Sequence, residues 1–275
     1  MDAAISILRA AENPEPETKA FYRQVLDILN DSGVPFLVGG AYAFNRYTGI
    51  NRHTRDLDIF IRRADFDKIS DALRMQGHAT ELTFPHWLGK VRFGDVYIDL
   101  IFSSGNGIAE VDDLWFDYAV DANVHGVDVK ICPAEEMIWS KAFIMERERF
   151  DGADIIHLLN ACGDKLDWAR LLRRFGSHWR VLMSHLVLFG FAYPSARHVV
   201  PPPVMTELID RLRNETVSPS PEHSICLGTL LSREQYLKDI EQEGLQDGRI
   251  TPLGNMTPED TAIWTEAIQE HHKPH

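Results

Sequence analysis

The 275-residue chain has only three cysteines, Cys132, Cys162 and Cys226. They are odd in number and far apart, so they make neither a disulfide framework nor a zinc pattern, and small buried apolar residues are the expected reading. Long hydrophobic runs are missing as well. Charge interrupts every apolar stretch well before the ~18 residues a membrane span needs. The opening Met-Asp-Ala-Ala-Ile-Ser-Ile-Leu-Arg has neither the basic start nor the long apolar core of a signal peptide, so a cytoplasmic location is expected. Positive charge is scarce: the net charge is −13, which disfavours a broad grip on a long nucleic acid. The twelve histidines never fall in an HExxH spacing, and His271, His272 and His275 read as part of a solvated polar terminus. No P-loop ending and no Gly-x-Ser-x-Gly elbow occurs.

What remains is an ordinary globular composition, 44% hydrophobic, large enough for one sizeable domain or two smaller ones. Arg46, Arg52, Arg55, Arg62 and Arg63 cluster locally. An acidic protein with such a patch suits a small anionic ligand such as a nucleotide. The apolar spacing predicts a helix over 17–31, a strand over 34–38, a helix over 41–48 and a strand over 57–61. A helix over 64–75 should follow, then strands near 79–84, 87–93, 95–102 and 127–132. From Pro133 the pattern turns helical: 133–149, 153–162, 167–175, 178–192 and 202–213. Residues 216–223 read as a linker, with two short helical patterns beyond, 233–243 and 258–270. The expected class is α/β (α+β), a small mixed sheet with flanking helices followed by a helical domain. The expected division is 1–132, 133–216 and a C-terminal appendage or tail, 217–275.

The stretch "FLVGGAYAFNRYTGINRHTRDLDIFI", 36–61, carries the chemistry. Strand residues alternate faces, so Asp56 and Asp58 point the same way, ~6–7 Å apart, while Leu57, Ile59 and Ile61 face a core. Aspartate is disfavoured in strands, and two on one face repel unless a cation lies between them. Hard oxygen ligands of this kind suit Mg2+. Asp99 repeats the logic in "DVYIDLIF". If the two strands are neighbours, three carboxylates converge and can hold one or two ions for an in-line displacement at phosphorus. Gly39-Gly40 follows a strand and opens a helix, where backbone approaches phosphate closely and the helix N-terminus favours its charge. Haloacid-dehalogenase-like phosphatases and many glycosyltransferases also use Asp-x-Asp. In those, however, the apolar strand precedes the aspartates; here it follows them.

Strand, Gly-Gly, helix, Asp-x-Asp opening the next strand and a third Asp on a later strand together resemble the DNA polymerase β-like nucleotidyltransferase superfamily. "GGAYAF" and "RHTRDLDIF" are similar to forms in its small-substrate, toxin–antitoxin and abortive-infection branches, with Arg52 and Thr54 matching. The resemblance covers about residues 34–132. It implies a Mg2+-dependent transfer of a nucleoside monophosphate from a triphosphate to an acceptor nucleophile, releasing pyrophosphate. Asp56, Asp58 and Asp99 would be the catalytic and metal residues, with two ions when nucleotide is bound. Gly39, Gly40, Arg52, Thr54 and Arg55 would contact the nucleotide, in ATP-binding style, and the site would lie in a cleft beside the helical domain. Lys141, in "MIWSKAF", would reach the triphosphate by the same analogy, although Phe150 stands where the following family ending has lysine. The acceptor is open: a small molecule, a tRNA end or a protein, with no long nucleic acid and no membrane. The competing class is a catalytically silent nucleotide-binding or regulatory, antitoxin-partner module on the same fold.

Overall fold

A computed structural model describes residues 15–52, 54, 56–94, 96–218 and 224–271. Two compact units divide the chain. The first comprises residues up to 103 together with 110–133; the second comprises 104–109 and 134 onward.

In the first unit, α1 (Pro16–Ser32) starts with proline in its first turn and stops at Gly33, whose left-handed φ of 67° satisfies the end of the helix. Then come β1 (Leu37–Val38), α2 (Gly40–Thr48), β2 (Asp56–Phe60), a short 3-10 turn (Arg63–Asp65) and α3 (Phe66–Met75). The strands β3 (Thr80–Phe84), β4 (Leu88–Phe93) and β5 (Val96–Ile101) follow, then α4 (Asp113–Asp117), β6 (Val120–Val124) and β7 (Val127–Ile131). The seven strands form one mixed sheet in the order β3-β4-β5-β2-β1-β7-β6. The alternation anticipated for β2 and β5 sets the core. Leu57, Ile59, Ile98 and Leu100 are fully buried, and Phe21, Leu26, Ile69 and Leu73 from α1 and α3 are buried with them. The opposite face carries Asp56, Asp58 and Asp99, all half-buried.

The second unit contains α5 (Ala134–Ala142), α6 (Gly152–Cys162), α7 (Trp168–Phe175), α8 (Trp179–Ala192), α9 (Pro202–Val217), a two-strand pair β8 (Ile225–Cys226) and β9 (Gln246–Asp247), α10 (Leu237–Glu241) and α11 (Pro258–His271). Among the described residues, no helix is long and apolar enough to cross a membrane. The three cysteines are free and buried.

Several boundaries depart from the sequence reading. Only Leu37–Val38 of the 34–38 strand is paired. The helix expected over 133–149 ends at Ala142 because the chain folds back, bridging Met145 to Phe150 and bringing Lys141 and Arg149 onto the same Asp151 carboxylate. The 233–243 pattern shortens to α10, since Glu146 captures the Ser232 hydroxyl and the Arg233 amide just ahead of it. α9 runs to Val217, so the supposed linker begins later, and 219–223 lie outside the described residues. Neither α4 nor β6 was anticipated: α4 is a single five-residue turn, and β6 shows no clean burial alternation.

Inside the second unit, Arg170 of α7 lies 2.6 Å from Glu135 and 2.8 Å from Glu136 of α5, and Arg174 lies 3.0 Å from Glu136. The side chain of Arg170 is 5% exposed and that of Glu136 is 0% exposed. Removing one partner of such a cluster strands buried charge, which costs about 3–5 kcal/mol. Arg170→Met should therefore lower unfolding free energy by about that amount in urea titration. A loss under ~0.5 kcal/mol, the size of an ordinary surface change, would show that water reaches the cluster and that it does not tie α7 to α5.

Candidate active site

The site is built by register. β2 and β5 run parallel, pairing Asp56 with Tyr97 and Asp58 with Asp99. Side chains of directly paired residues stand on the same face. The two strands thus bring Asp56, Asp58 and Asp99 together, each offering an oxygen within 4.8 Å of the others. At an effective dielectric near 20, like charges this close repel by roughly 3–4 kcal/mol per pair. Such an arrangement needs cations or proton-sharing neighbours.

Two neighbours are in place. Lys90, paired with Asp99 across β4 and β5, places Nζ 2.7 Å from Asp99 Oδ1. Burial raises the Asp99 carboxyl above the usual carboxylate range and Asp56 adds to that, while Lys90 draws it back down. Thr54 donates a short hydrogen bond to Asp56 Oδ1. Of the residues singled out in the sequence, Thr54 therefore serves the carboxylates directly. Arg52 sits with its guanidinium 4.5 Å from the ring centroid of Phe44 in α2. Arg55 lies outside the described residues. Arg62 is engaged by Asp65 and Asp113, and Arg63 donates to the Pro85 carbonyl. Lys141 belongs to the second unit, with Nζ 2.7 Å from Asp151 and 3.0 Å from Asp154.

Gly39 and Gly40 meet the triad from β1. The amide of Gly39 donates to the Asp58 carbonyl at 2.9 Å, and its own carbonyl accepts from Ala43 in the first bond of α2. Gly40 has a φ of +51°, and a Cβ there would lie 1.7 Å from Asp58 Oδ2. Glycine is therefore a condition for the carboxylate to stand where it does. The Gly39 amide is spent on β2, so the donors left for an anion are the first-turn amides of α2, which by helix geometry have no intrahelical partner.

Sequence reasoning missed Lys90, and also a pair at the other flank. Tyr42 Oη and His125 Nε2 are 2.9 Å apart, with Tyr22 stacked on the same imidazole. The Tyr42 hydroxyl is pushed up to about 12 by burial and then by Asp56 and Asp58. His125 is held below the usual imidazole range by burial and by Lys19 and Arg23. His125 occupies the tip of the β6–β7 hairpin with a left-handed φ of 53°. The one signal available in the sequence was the His-Gly pair before "VDVKIC".

A family model described as "Nucleotidyl transferase of unknown function (DUF2204)" matches residues 18–179, more than half of the chain. The chain belongs to this family. The strand, Gly-Gly, helix, Asp-x-Asp and third-Asp arrangement lies within the matched residues, and the match extends from α1 into the second unit. Among solved structures, the antibiotic-resistance factor ANT(2'')-Ia is 17% identical, with a TM-score of 0.41 over 61% of this chain and 95% of that one. The lincomycin-bound lincosamide antibiotic adenylyltransferase LnuA is 17% identical, with a TM-score of 0.36 over 53% and 98%. An antigenic nucleotidyltransferase-like protein from Paracoccidioides brasiliensis is 16% identical, with a TM-score of 0.40 over 66% and 91%. No curated protein matches the chain.

The glycine argument has a direct check. Gly33 and Gly40 both have positive φ, but a Cβ at Gly33 meets nothing within 4 Å. Gly33→Ala should cost about 1 kcal/mol, the left-handed penalty alone. Gly40→Ala should add the 1–3 kcal/mol of overpacking against Asp58. Equal losses in urea unfolding would show that the Asp58 side chain moves aside freely and that Gly40 does not shape the site.

Proposed function

We propose that this nucleotidyl transferase moves a nucleoside monophosphate from a triphosphate to an acceptor nucleophile at the Asp56, Asp58 and Asp99 triad of the first unit. The observation that carries the proposal is the convergence of three carboxylates beside a glycine turn at a helix start. Three carboxylate oxygens within 4.8 Å of one another fit a small hard cation. The room that Gly40 leaves around Asp58 supports the same reading. A divalent cation held by Asp56, Asp58 and Asp99, Mg2+ by the chemistry of the donors, would neutralise the triphosphate and the departing pyrophosphate.

The chain's own groups do the rest. First-turn amides of α2 bind a phosphate oxygen, because the macrodipole and unpaired N–H groups both favour negative charge there. Asp99 takes the proton of the acceptor as its oxygen bonds to the α-phosphorus and the bond to pyrophosphate breaks. A carboxylate raised by burial is a better base than a solvated one. Thr54 fixes Asp56 through its hydroxyl. Arg52, four residues beyond α2 in the chain, and Arg55 are the cations of this segment proposed for anion contacts. Lys141 would have to leave Asp151 and Asp154 to reach a phosphate, so we assign it to fixing α6. For the acceptor, a hydroxyl-bearing small molecule fits an acidic protein better than a long nucleic acid.

Asp99→Asn keeps shape and removes the charge. Nucleotide binding should persist through Asp56 and Asp58, while transfer falls by at least ~10²-fold, the scale for one positioned acid–base group. Wild-type rates in the variant would remove Asp99 from the chemistry. Incubation with each labelled triphosphate and Mg2+, against RNA, protein and metabolite pools, should move label into one pool and lose that transfer in EDTA. Binding of nucleotide with no label in any pool would favour the silent binding module instead.

A further inference from the structure

The proposed transfer gives Lys90 no task, yet its placement is specific. Lys90 stands directly opposite Asp99 in antiparallel register, so both side chains share the face of the triad. Its ammonium is 2.7 Å from Asp99 Oδ1 and 3.9 Å from the centroid of the Tyr97 ring, two residues before Asp99 on the same strand face. Glu81, the residue across from Lys90 on β3, pairs with Arg92 instead, at 3.1 Å. Lys90 is 17% exposed and Asp99 14%, whereas the Glu81–Arg92 pair is more than half exposed on both sides. A lysine that served only to decorate the sheet would sit as Arg92 does. This one is largely withdrawn from water and held against a carboxylate that two others approach.

Charge gives the placement its meaning: three neighbouring carboxylates repel one another, and the Lys90 ammonium offsets part of that repulsion at Asp99. The ammonium already occupies one oxygen of Asp99, from where it attracts the carboxylates and repels any second cation.

We propose that Lys90 is a built-in counter-cation of the triad: it holds Asp99 in place when no divalent ion is bound and lowers the affinity of the site for one. The inference rests on the metal-binding reading of Asp56, Asp58 and Asp99. Lys90 acts through Asp99 and is a positioning residue.

The test uses the full chain without nucleotide, titrated with Mn2+ alone, with free and bound ion read by electron paramagnetic resonance. Thermal unfolding is followed in parallel in EDTA and in saturating Mn2+. Lys90→Met should bind Mn2+ roughly tenfold more tightly, equivalent to about 1.4 kcal/mol. It should melt lower than wild type in EDTA, and saturating Mn2+ should shrink the gap. Lys90→Arg, which keeps the charge, should stay near wild-type affinity. Lys90→Gln runs the same titration if the methionine variant does not fold. Unchanged or weaker Mn2+ binding by the neutral variants overturns the proposal, as does an equal melting deficit with and without Mn2+, the mark of a purely structural pair. Failure of the metal reading looks different: wild type itself binds no Mn2+, or binds it equally well as Asp58→Asn.

Discussion

The parallel pairing of β2 with β5 is the constraint on which the rest of the site depends. Its register sets Asp58 opposite Asp99 and leaves Asp56 one pleat away. Slide either strand by one residue and every side chain changes face. Leu57 and Ile98 would then turn toward the acidic side, and the aspartates would enter the core. The buried aliphatic face therefore pays for the acidic one: the hydrophobic energy of Leu57, Ile59, Ile98 and Leu100 fixes the register against which carboxylate repulsion works. β5 is also central in the sheet, with β4 on its other side. That second pairing delivers Lys90 to Asp99. One strand thus brings the third carboxylate beside the other two and the Lys90 ammonium beside that carboxylate, through two registers set by packing elsewhere.

β1 has only two paired residues, but it closes the arrangement. Leu37 and Val38 pair antiparallel to β2, and Val38 pairs parallel to β7. The chain must then leave the sheet and start α2 within two residues. Gly40 does this at a φ that side chains avoid, in space that Asp58 already fills. The Gly39 amide bonds the Asp58 backbone while Gly40 leaves room for the Asp58 side chain. The two glycines thus perform separate tasks: one docks the turn to β2, the other clears the carboxylate. Read as a phosphate cradle alone, the pair loses half of its physical justification.

What the sequence made legible follows from locality. Asp56, Asp58 and Asp99 could be found because a carboxylate inside an alternating apolar strand is a local contradiction. Gly39-Gly40 could be found because it lies between a strand and a helix. Thr54 was found, but as a nucleotide contact, whereas its hydroxyl serves Asp56. Lys90 could not be found, since "LGKVRF" holds two cations of equal standing and only the β4–β5 register decides that Lys90 faces Asp99 while Arg92 faces Tyr97. Tyr42 and His125 were hidden for a stronger reason. They are 83 residues apart, and they meet because β7 crosses to lie beside β1, carrying the β6–β7 hairpin with it. The helix over 133–149 was overextended because its end is imposed by a tertiary contact: Lys141 and Arg149 share Asp151, and the chain between them must reverse.

The two acidic centres also show how the same residue types take opposite roles. In the second unit, Glu135 and Glu136 are each met by arginine, and Glu136 by two. Arg170 and Arg174 stand against the two glutamates, so the carboxylates there are held by opposite charge. At the triad, three carboxylates converge on one face, and Lys90 pairs with Asp99. Both are partly or fully withdrawn from water, where uncompensated charge is costly. A buried cluster of paired charges fastens helices; carboxylates gathered on one sheet face are held together by the folding energy of the core behind them. The difference lies in how the strands and helices arrange the charges, not in the composition of either segment. It is the convergence of three carboxylates, rather than the presence of aspartates, that sets the acidic face of the first unit apart.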